Sequence, residues 1–350
     1  MVSKRRLAAP PIVMIVSCSF DPIIPRDATP DAGIEDRALH DADRDPLDGD
    51  SVNAPSDARL SGDADSTDLG SDASSVDADT RDAGRDAGVD AGASTFVVLT
   101  INLKHPLTGL AEASDRLAMV ADGIVATQPD VVALQEVIRD DGQPSYAELL
   151  AQMTGYEWIW ELTYRVPLFF DEGLGVLSRW PIVWSESARL PHLDLVAFSR
   201  RVLGARVRAP GGEFQLFCVH MTTDSNETIK ADQAAAVLDF IAAHPSPRPG
   251  FLAGDLNAEP DSLAMRLLRG EAQHDGRRGA LVDAWLATNP ADDGFTMHSD
   301  NPTRRIDYIY AIPGSGGATA RPRACERMFT QPDGDLYASD HLGVLCELEL

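Results

Sequence analysis

The chain predicts an α/β fold confined to residues 95–350, on three observations. Short apolar, β-branched runs alternate with stretches of helical periodicity, the pattern of a layered α/β domain. Most of those runs end at or just before an Asn, Asp, Glu or His, so loops at a sheet edge would carry the polar chemistry. Residues 21–94, in contrast, have almost no aromatic side chains with which to build a core.

Taken in order, the chain opens with Lys4-Arg5-Arg6 and a short apolar stretch over residues 7–16, a positive region and an apolar segment too short to span a bilayer. Ile15-Val16-Ser17-Cys18 resembles the lipobox of bacterial lipoproteins. That resemblance implies a signal peptide over residues 1–17, lipidation of Cys18 and a membrane anchor, with Ser19 pointing to the outer membrane. The alternative is a plain cleaved signal and a secreted or periplasmic protein. Residues 18–94 then read as a lipidated cysteine on a disordered, Asp/Ala-rich linker. Residues 21–94 hold 20 Asp and Glu against 6 Arg, and as a flexible coil they would reach on the order of 50 Å. About half of the net charge of −25 sits there; the remainder makes residues 95–350 acidic too. Such acidity excludes broad adhesion to nucleic acid, which rests on basic patches. A nuclease with a locally cationic metal site stays open.

Order begins at Thr95-Phe96-Val97-Val98-Leu99-Thr100-Ile101-Asn102, a buried strand ending in an amide. Leu110, Leu117, Val120 and Ile124 recur at helical spacing, and Val131-Val132-Ala133-Leu134-Gln135-Glu136 is a second strand ending in a carboxylate. A carboxylate there needs a cation or a metal, because burying it alone is costly. Further on, residues 230–243 and 263–269 read as helices. Between them Phe251-Leu252-Ala253 delivers Gly254-Asp255-Leu256-Asn257, a carboxylate and a carboxamide side by side.

Seven segments in this order resemble the endonuclease/exonuclease/phosphatase superfamily, which includes deoxyribonuclease I, sphingomyelinases and inositol-polyphosphate 5-phosphatases. They are Thr100-Ile101-Asn102-Leu103, Leu134-Gln135-Glu136-Val137, the strand from Glu172 to Pro181, Cys218-Val219-His220-Met221-Thr222, Gly254-Asp255-Leu256-Asn257, Arg305-Ile306-Asp307-Tyr308-Ile309 and Ser339-Asp340-His341. The resemblance spans residues 95–350 and implies a four-layer sandwich, two packed mixed β-sheets flanked by helices. It also implies hydrolysis of a phosphate ester by in-line attack of water, assisted by Mg²⁺ (Mn²⁺ or Ca²⁺ being substitutes).

Residue by residue, the resemblance makes Glu136 the main metal ligand, with Asn102 and Asp340 nearby or reaching through water. This oxygen-donor set suits Mg²⁺. Asp255 and Asn257 would orient the nucleophile and hold the phosphoryl oxygens. His341 would be oriented by Asp307 and His220 by Glu172, each carboxylate fixing a tautomer and raising basicity. Which imidazole is base and which acid stays open. Arg200 or Arg201 would lie near the phosphate. The Glu172–His220 pair leans toward a phosphodiester, in a nucleic acid or a phospholipid, cleaved by a monomeric enzyme. A phosphomonoesterase and a catalytically silent surface-binding module are the alternatives. Asp283-Ala284-Trp285 reads as structural, and Cys325 and Cys346 are available for a disulfide. The aromatic-rich stretch over residues 156–170 reads as one core strand and a packed loop, with a substrate or membrane lip as the alternative. His105, His192, His244, His274 and His298 read as solvated loop residues, with His105 a candidate for the pocket.

Overall fold

The computed structural model describes residues 95–104, 110–166, 170–193 and 198–350. The signal region, Cys18, the acidic linker, His105 and residues 167–169 lie outside the described residues.

Two six-stranded mixed sheets form the body. In the first, β1 (Thr95–Asn102) runs parallel to β2 (Val131–Arg139), and the crossover between them is α1 (Leu110–Thr127). Its other strands are β3 (Glu157–Val166), β4 (Phe170–Ser178), β11 (Arg321–Met328) and β12 (Gly343–Glu349), in the order β11-β12-β1-β2-β4-β3. The second sheet repeats the plan. There β7 (Gly212–His220) is parallel to β8 (Gly250–Asp255), with α3 (Glu227–Ala243) as the crossover. Adding β5 (Ile182–Leu193), β6 (Ser199–Ala209), β9 (Val282–Asp283) and β10 (Asp307–Ile312) gives the order β5-β6-β7-β8-β10-β9. Three short helices complete the domain: α2 (Tyr146–Thr154), α4 (Leu263–Arg269) and α5 (Ala284–Thr288).

The alternation of side chains along a strand sorts the apolar residues into three clusters, and these define the layers. Phe96, Val98, Ala133, Val176, Leu216, Cys218, Phe251, Ala253 and Ile309 pack between the sheets. Leu99, Ile101, Val132 and Leu134 turn outward onto α1 and α2; Phe217, Val219 and Leu252 turn outward onto α3 and α4. The result is helix, sheet, sheet, helix, as the resemblance implies. Cys325 and Cys346, directly opposite in the β11/β12 ladder, are joined in a disulfide. Among the described residues no helix is long and apolar enough to cross a membrane.

The stretch over 156–170 is partly the core strand expected. In the edge strand β3, Trp160 donates to Val137 O at 3.0 Å and lies under the Arg139 guanidinium, while Trp158 is exposed. Arg305 pairs with the buried Asp283, which also caps α5 through Leu286 N at 3.1 Å, so the Asp283-Ala284-Trp285 element is structural.

Candidate active site

The parallel pairs explain where the polar residues gather. Adjacent parallel strands finish at the same edge, so β1 brings Asn102 and β7 and β8 bring His220 and Asp255 to their C-terminal ends. An antiparallel neighbour reaches that edge at its start, which is why Asp307, first in β10, lies opposite Asp255. His341 precedes β12 for the same reason, since β12 is antiparallel to β1.

Facing follows from alternation as well. Asn102 continues the inward row Phe96-Val98-Thr100, His220 the row Phe214-Leu216-Cys218, and Asp255 the row Phe251-Ala253. All three therefore point into the gap between the sheets, and each is at most 4 % exposed.

Glu136 breaks the rule. By alternation it would share the outward face of Val132 and Leu134. A register shift between Leu134 and Val137 inserts a bulge, and Glu136 adopts φ 53°, a left-handed conformation rare for such a residue. The bulge turns Glu136 inward, where its Oε1 accepts from Asn102 Nδ2 at 3.0 Å. The strand also continues to Arg139, so Glu136 does not end it as its apolar run suggests.

Two more local features shape the site. At Gly254, φ is 151° and a Cβ would meet Val219 O at 2.0 Å, so only glycine allows β7 and β8 to approach this closely. Beyond each parallel pair's first and second strand respectively, a side chain caps a tight turn. Asn102 Oδ1 accepts from Lys104 N at 3.0 Å, and Asp255 Oδ1 accepts from Asn257 N at 2.9 Å. Lys104 and Asn257 both have positive φ, 57° and 49°.

Asp255 is the hub. Its Oδ2 lies 3.1 Å from Asn102 Nδ2, 3.4 Å from His220 Nε2 and 3.9 Å from His341 Nε2. Burial and the Asp307 carboxylate push its pKa up to about 7, against the opposing pull of His341, the Asn257 N–H and Asn102. Asp307 is bound to His341 Nδ1 at 2.9 and 3.2 Å, the pairing expected. Burial alone would lower His341; the Asp307, Asp255 and Asp340 carboxylates outweigh it and raise its pKa to about 10. Asp255, Asp307 and His341 offer ligand atoms all within 4.8 Å of one another.

His220 meets different company. Arg200 Nη1 lies 3.0 and 3.1 Å from its two ring nitrogens. Burial, Arg200 and His341 hold its pKa well below the ordinary imidazole value. The carboxylate at its Nε2 is Asp255, which corrects the expected pairing with Glu172. Glu172 lies near the start of β4, opposite Ile138 and Tyr164 in the other sheet, and its Oε2 accepts from Tyr164 OH at 2.5 Å. Tyr164, which feels the charges of Glu172, Arg200 and Glu136, stacks on Phe198 at 4.0 Å. Arg201 turns to Glu161 at 3.2 Å.

The remaining candidates sit on the rim. Asp340 is half-buried, 3.6 Å from Lys104 Nζ, a cation to which no motif pointed. Asn257 donates through Nδ2 to Met221 O at 3.1 Å, and its carbonyl accepts from the buried Lys230 at 2.5 Å. Lys230 is a second residue that a helical pattern could not single out. His298 is exposed, as read. His244 instead packs on Phe240 and Trp184, and His192 and His274 both bind Asp232.

A family model described as "Endonuclease/Exonuclease/phosphatase family" matches residues 99–341. No curated protein matches the chain. Among solved structures the chain is similar to a Bacteroides vulgatus endonuclease/exonuclease/phosphatase, with 19% identity and TM-score 0.59, covering 73% of this chain and 99% of that one. It is similar to D. rerio TDP2 complexed with single strand DNA product, with 20% identity and TM-score 0.59, covering 73% and 100%. A Beutenbergia cavernae endonuclease/exonuclease/phosphatase shares 24% identity at TM-score 0.56, covering 73% and 72%. At these identities the likeness speaks for the fold.

Proposed function

The chain belongs to the endonuclease/exonuclease/phosphatase family, and on that premise we propose that it is an exported, Mg²⁺-dependent phosphodiesterase. The observation that carries the reading is the convergence of Asn102, Glu136, His220, Asp255, Asp307 and His341 on one edge of the two sheets, around Asp255.

The residues fit a hard divalent cation. Glu136 is turned inward against its strand's alternation and lies beside Asn102, while Asp340 stands on the rim beside Lys104. The one free thiol among the described residues, Cys218, is sealed in the core. Oxygen donors with few carboxylates are what Mg²⁺ prefers, and Mn²⁺ or Ca²⁺ can share them. Glu136, Asn102 and Asp340 would hold the ion, which when bound neutralises charge on the phosphoryl oxygens.

The chain's own groups handle the protons. Asp255, with its pKa near neutrality, accepts a proton from the attacking water, and Asn257 holds the turn that presents it. His341, kept protonated by Asp307, donates to the leaving oxygen as the P–O ester bond breaks. His220, held neutral beside Arg200, orients Asp255 from the other side, and the Arg200 guanidinium is available to a phosphoryl oxygen.

A nucleic-acid strand is the favoured substrate over a phospholipid. The support is that D. rerio TDP2, of the same fold, was solved with a single strand DNA product. The acidity of residues 95–350 then confines attraction for the phosphates to the site itself. Export is supported by the Cys325–Cys346 disulfide, a bond that persists in oxidising compartments. Anchoring through Cys18 is tested by labelling with a radioactive fatty acid, which Cys18→Ala should abolish.

Turnover of bis-p-nitrophenyl phosphate against p-nitrophenyl phosphate, with Mg²⁺ and with a chelator, tests the central reading. Mg²⁺-dependent cleavage of the diester is expected. Preference for the monoester would make the protein a phosphatase, and inertness toward both would leave a binding module.

A further inference from the structure

On the outer side of the second sheet, three segments distant in sequence bring imidazoles and carboxylates together. Asp232 lies on α3, His192 near the end of β5, and His274 with Asp275 in the turn that follows α4. His274 Nε2 is 2.6 Å from Asp232 Oδ1, and His192 Nε2 is 2.7 Å from Asp232 Oδ2. Asp232, His274 and Asp275 offer ligand atoms within 4.8 Å of one another, half-buried or exposed and so within reach of an ion from solvent.

Each arm is fixed independently of the cluster. His274 and Arg277 exchange backbone hydrogen bonds at 3.1 and 2.9 Å around Asp275-Gly276, whose φ values of 48° and 73° make a tight turn. Arg277 ties that turn to α3 through both oxygens of Asp239, at 3.2 and 2.9 Å. Asp239 lies two helical turns beyond Asp232, so the turn is docked along one face of the helix. On the other arm, Gln233 Nε2 donates to Pro191 O at 2.9 Å, and His192 takes φ 64°. Two of the described residues with strained positive φ, His192 and Asp275, thus flank this one carboxylate. Strain of this kind persists where surrounding structure enforces it.

We propose that Asp232, His274 and Asp275 form a second metal site, separate from the one at Glu136, that takes a divalent transition-metal ion such as Zn²⁺. His192 supports it by hydrogen-bonding the carboxylate oxygen of Asp232 that faces away from the ion, the kind of outer contact that orients ligating carboxylates. An imidazole with carboxylates suits Zn²⁺, whereas the oxygen-only set at Glu136 suits Mg²⁺. Ligands on one tetrahedral Zn²⁺ sit roughly 3.3 Å apart, from bond lengths of about 2.0–2.1 Å, so His274 and Asp232 need separate by less than about 1 Å. Because Gln233, next to Asp232, also accepts from Thr222 N two residues beyond His220 at 2.8 Å, the ion would brace α3 against the strand that carries His220.

Isothermal titration of the full chain with ZnCl₂ in excess Mg²⁺ tests the proposal. Wild type and Glu136→Gln should both take up one tight equivalent of Zn²⁺. His274→Ala and Asp232→Asn should lose it, and His192→Ala should weaken it by about 10-fold. Unfolding temperatures without Zn²⁺ should match wild type. Should His274→Ala unfold, His274→Gln keeps a donor to Asp232 without the metal-binding ring and should lose the equivalent in the same way. Uptake unchanged in His274→Ala or His274→Gln would overturn the site. So would a wild-type equivalent that disappears in Glu136→Gln, which would place all of the ion at the catalytic edge.

Discussion

His220 and His341 are buried to the same degree, 4 % exposed each, and both approach the same carboxylate, Asp255. Yet their proton affinities are moved in opposite directions. Burial pushes both down, so burial cannot be what separates them. The difference is in the second neighbour: Arg200 stands at His220, and Asp307 grips His341 through Nδ1. Two imidazoles at one edge thereby become a neutral ring and a cationic ring, with a carboxylate of intermediate affinity between them. That division is what acid and base chemistry near neutral pH requires.

The largest expected effect comes from deleting the proton donor. His341→Ala should lower kcat on the diester by about 10²–10⁴-fold, and His220→Ala, which removes the ring that orients Asp255, should lower it less, with no recovery at high Mg²⁺ in either. Glu136→Gln should recover in part as Mg²⁺ is raised, because it weakens a ligand and leaves the proton path intact. Metal titrations of the rate separate these behaviours.

A smaller change should sharpen the contrast. Asp307→Asn keeps the hydrogen-bonding shape but removes the nearest charge that raises His341, so the alkaline limb of the pH–rate profile should move to lower pH. Loss of activity should be milder than in His341→Ala. Arg200→Gln should do the reverse at the other ring and raise the pKa of His220. An alkaline limb unmoved in Asp307→Asn would detach it from His341.

The smallest effect lies in stability. For His341 the folded-state pKa of about 10 exceeds the ordinary 6.5. Its contribution is therefore fully present below pH 6.5 and is lost as pH rises toward 10. For His220 the folded-state value is depressed, so its contribution is present above pH 6.5 and is lost as pH falls. Chelator-treated protein should lose unfolding temperature on both sides. His341→Gln should flatten the alkaline side and His220→Gln the acidic side.

Much of this was readable from strand patterns and the order of motifs. The rows that end in Asn102, His220 and Asp255 are visible as alternation, and Asp307 with His341 follows from the family pattern. The inward turn of Glu136 was not readable, because alternation assigns it to the helix-facing side and a bulge leaves no mark in an apolar run. Pairing His220 with Glu172 failed because pairing between sheets depends on how they stack: Asp255 lies at His220 Nε2, while Tyr164, in the other sheet, donates to Glu172. His192 and His274 read as solvated since each stands alone in its segment; only the fold puts both on Asp232. Lys104 gave no signal, being a single lysine after a strand.

The contrast between the two rings is measured most directly by NMR titration of the imidazole resonances in metal-free protein, assigned with His220→Gln and His341→Gln. His220 should stay neutral to well below pH 6.5, and His341 should stay protonated through neutrality toward pH 10. Two rings titrating together near pH 6.5, or in the reverse order, would contradict the division of proton roles on which the mechanism rests.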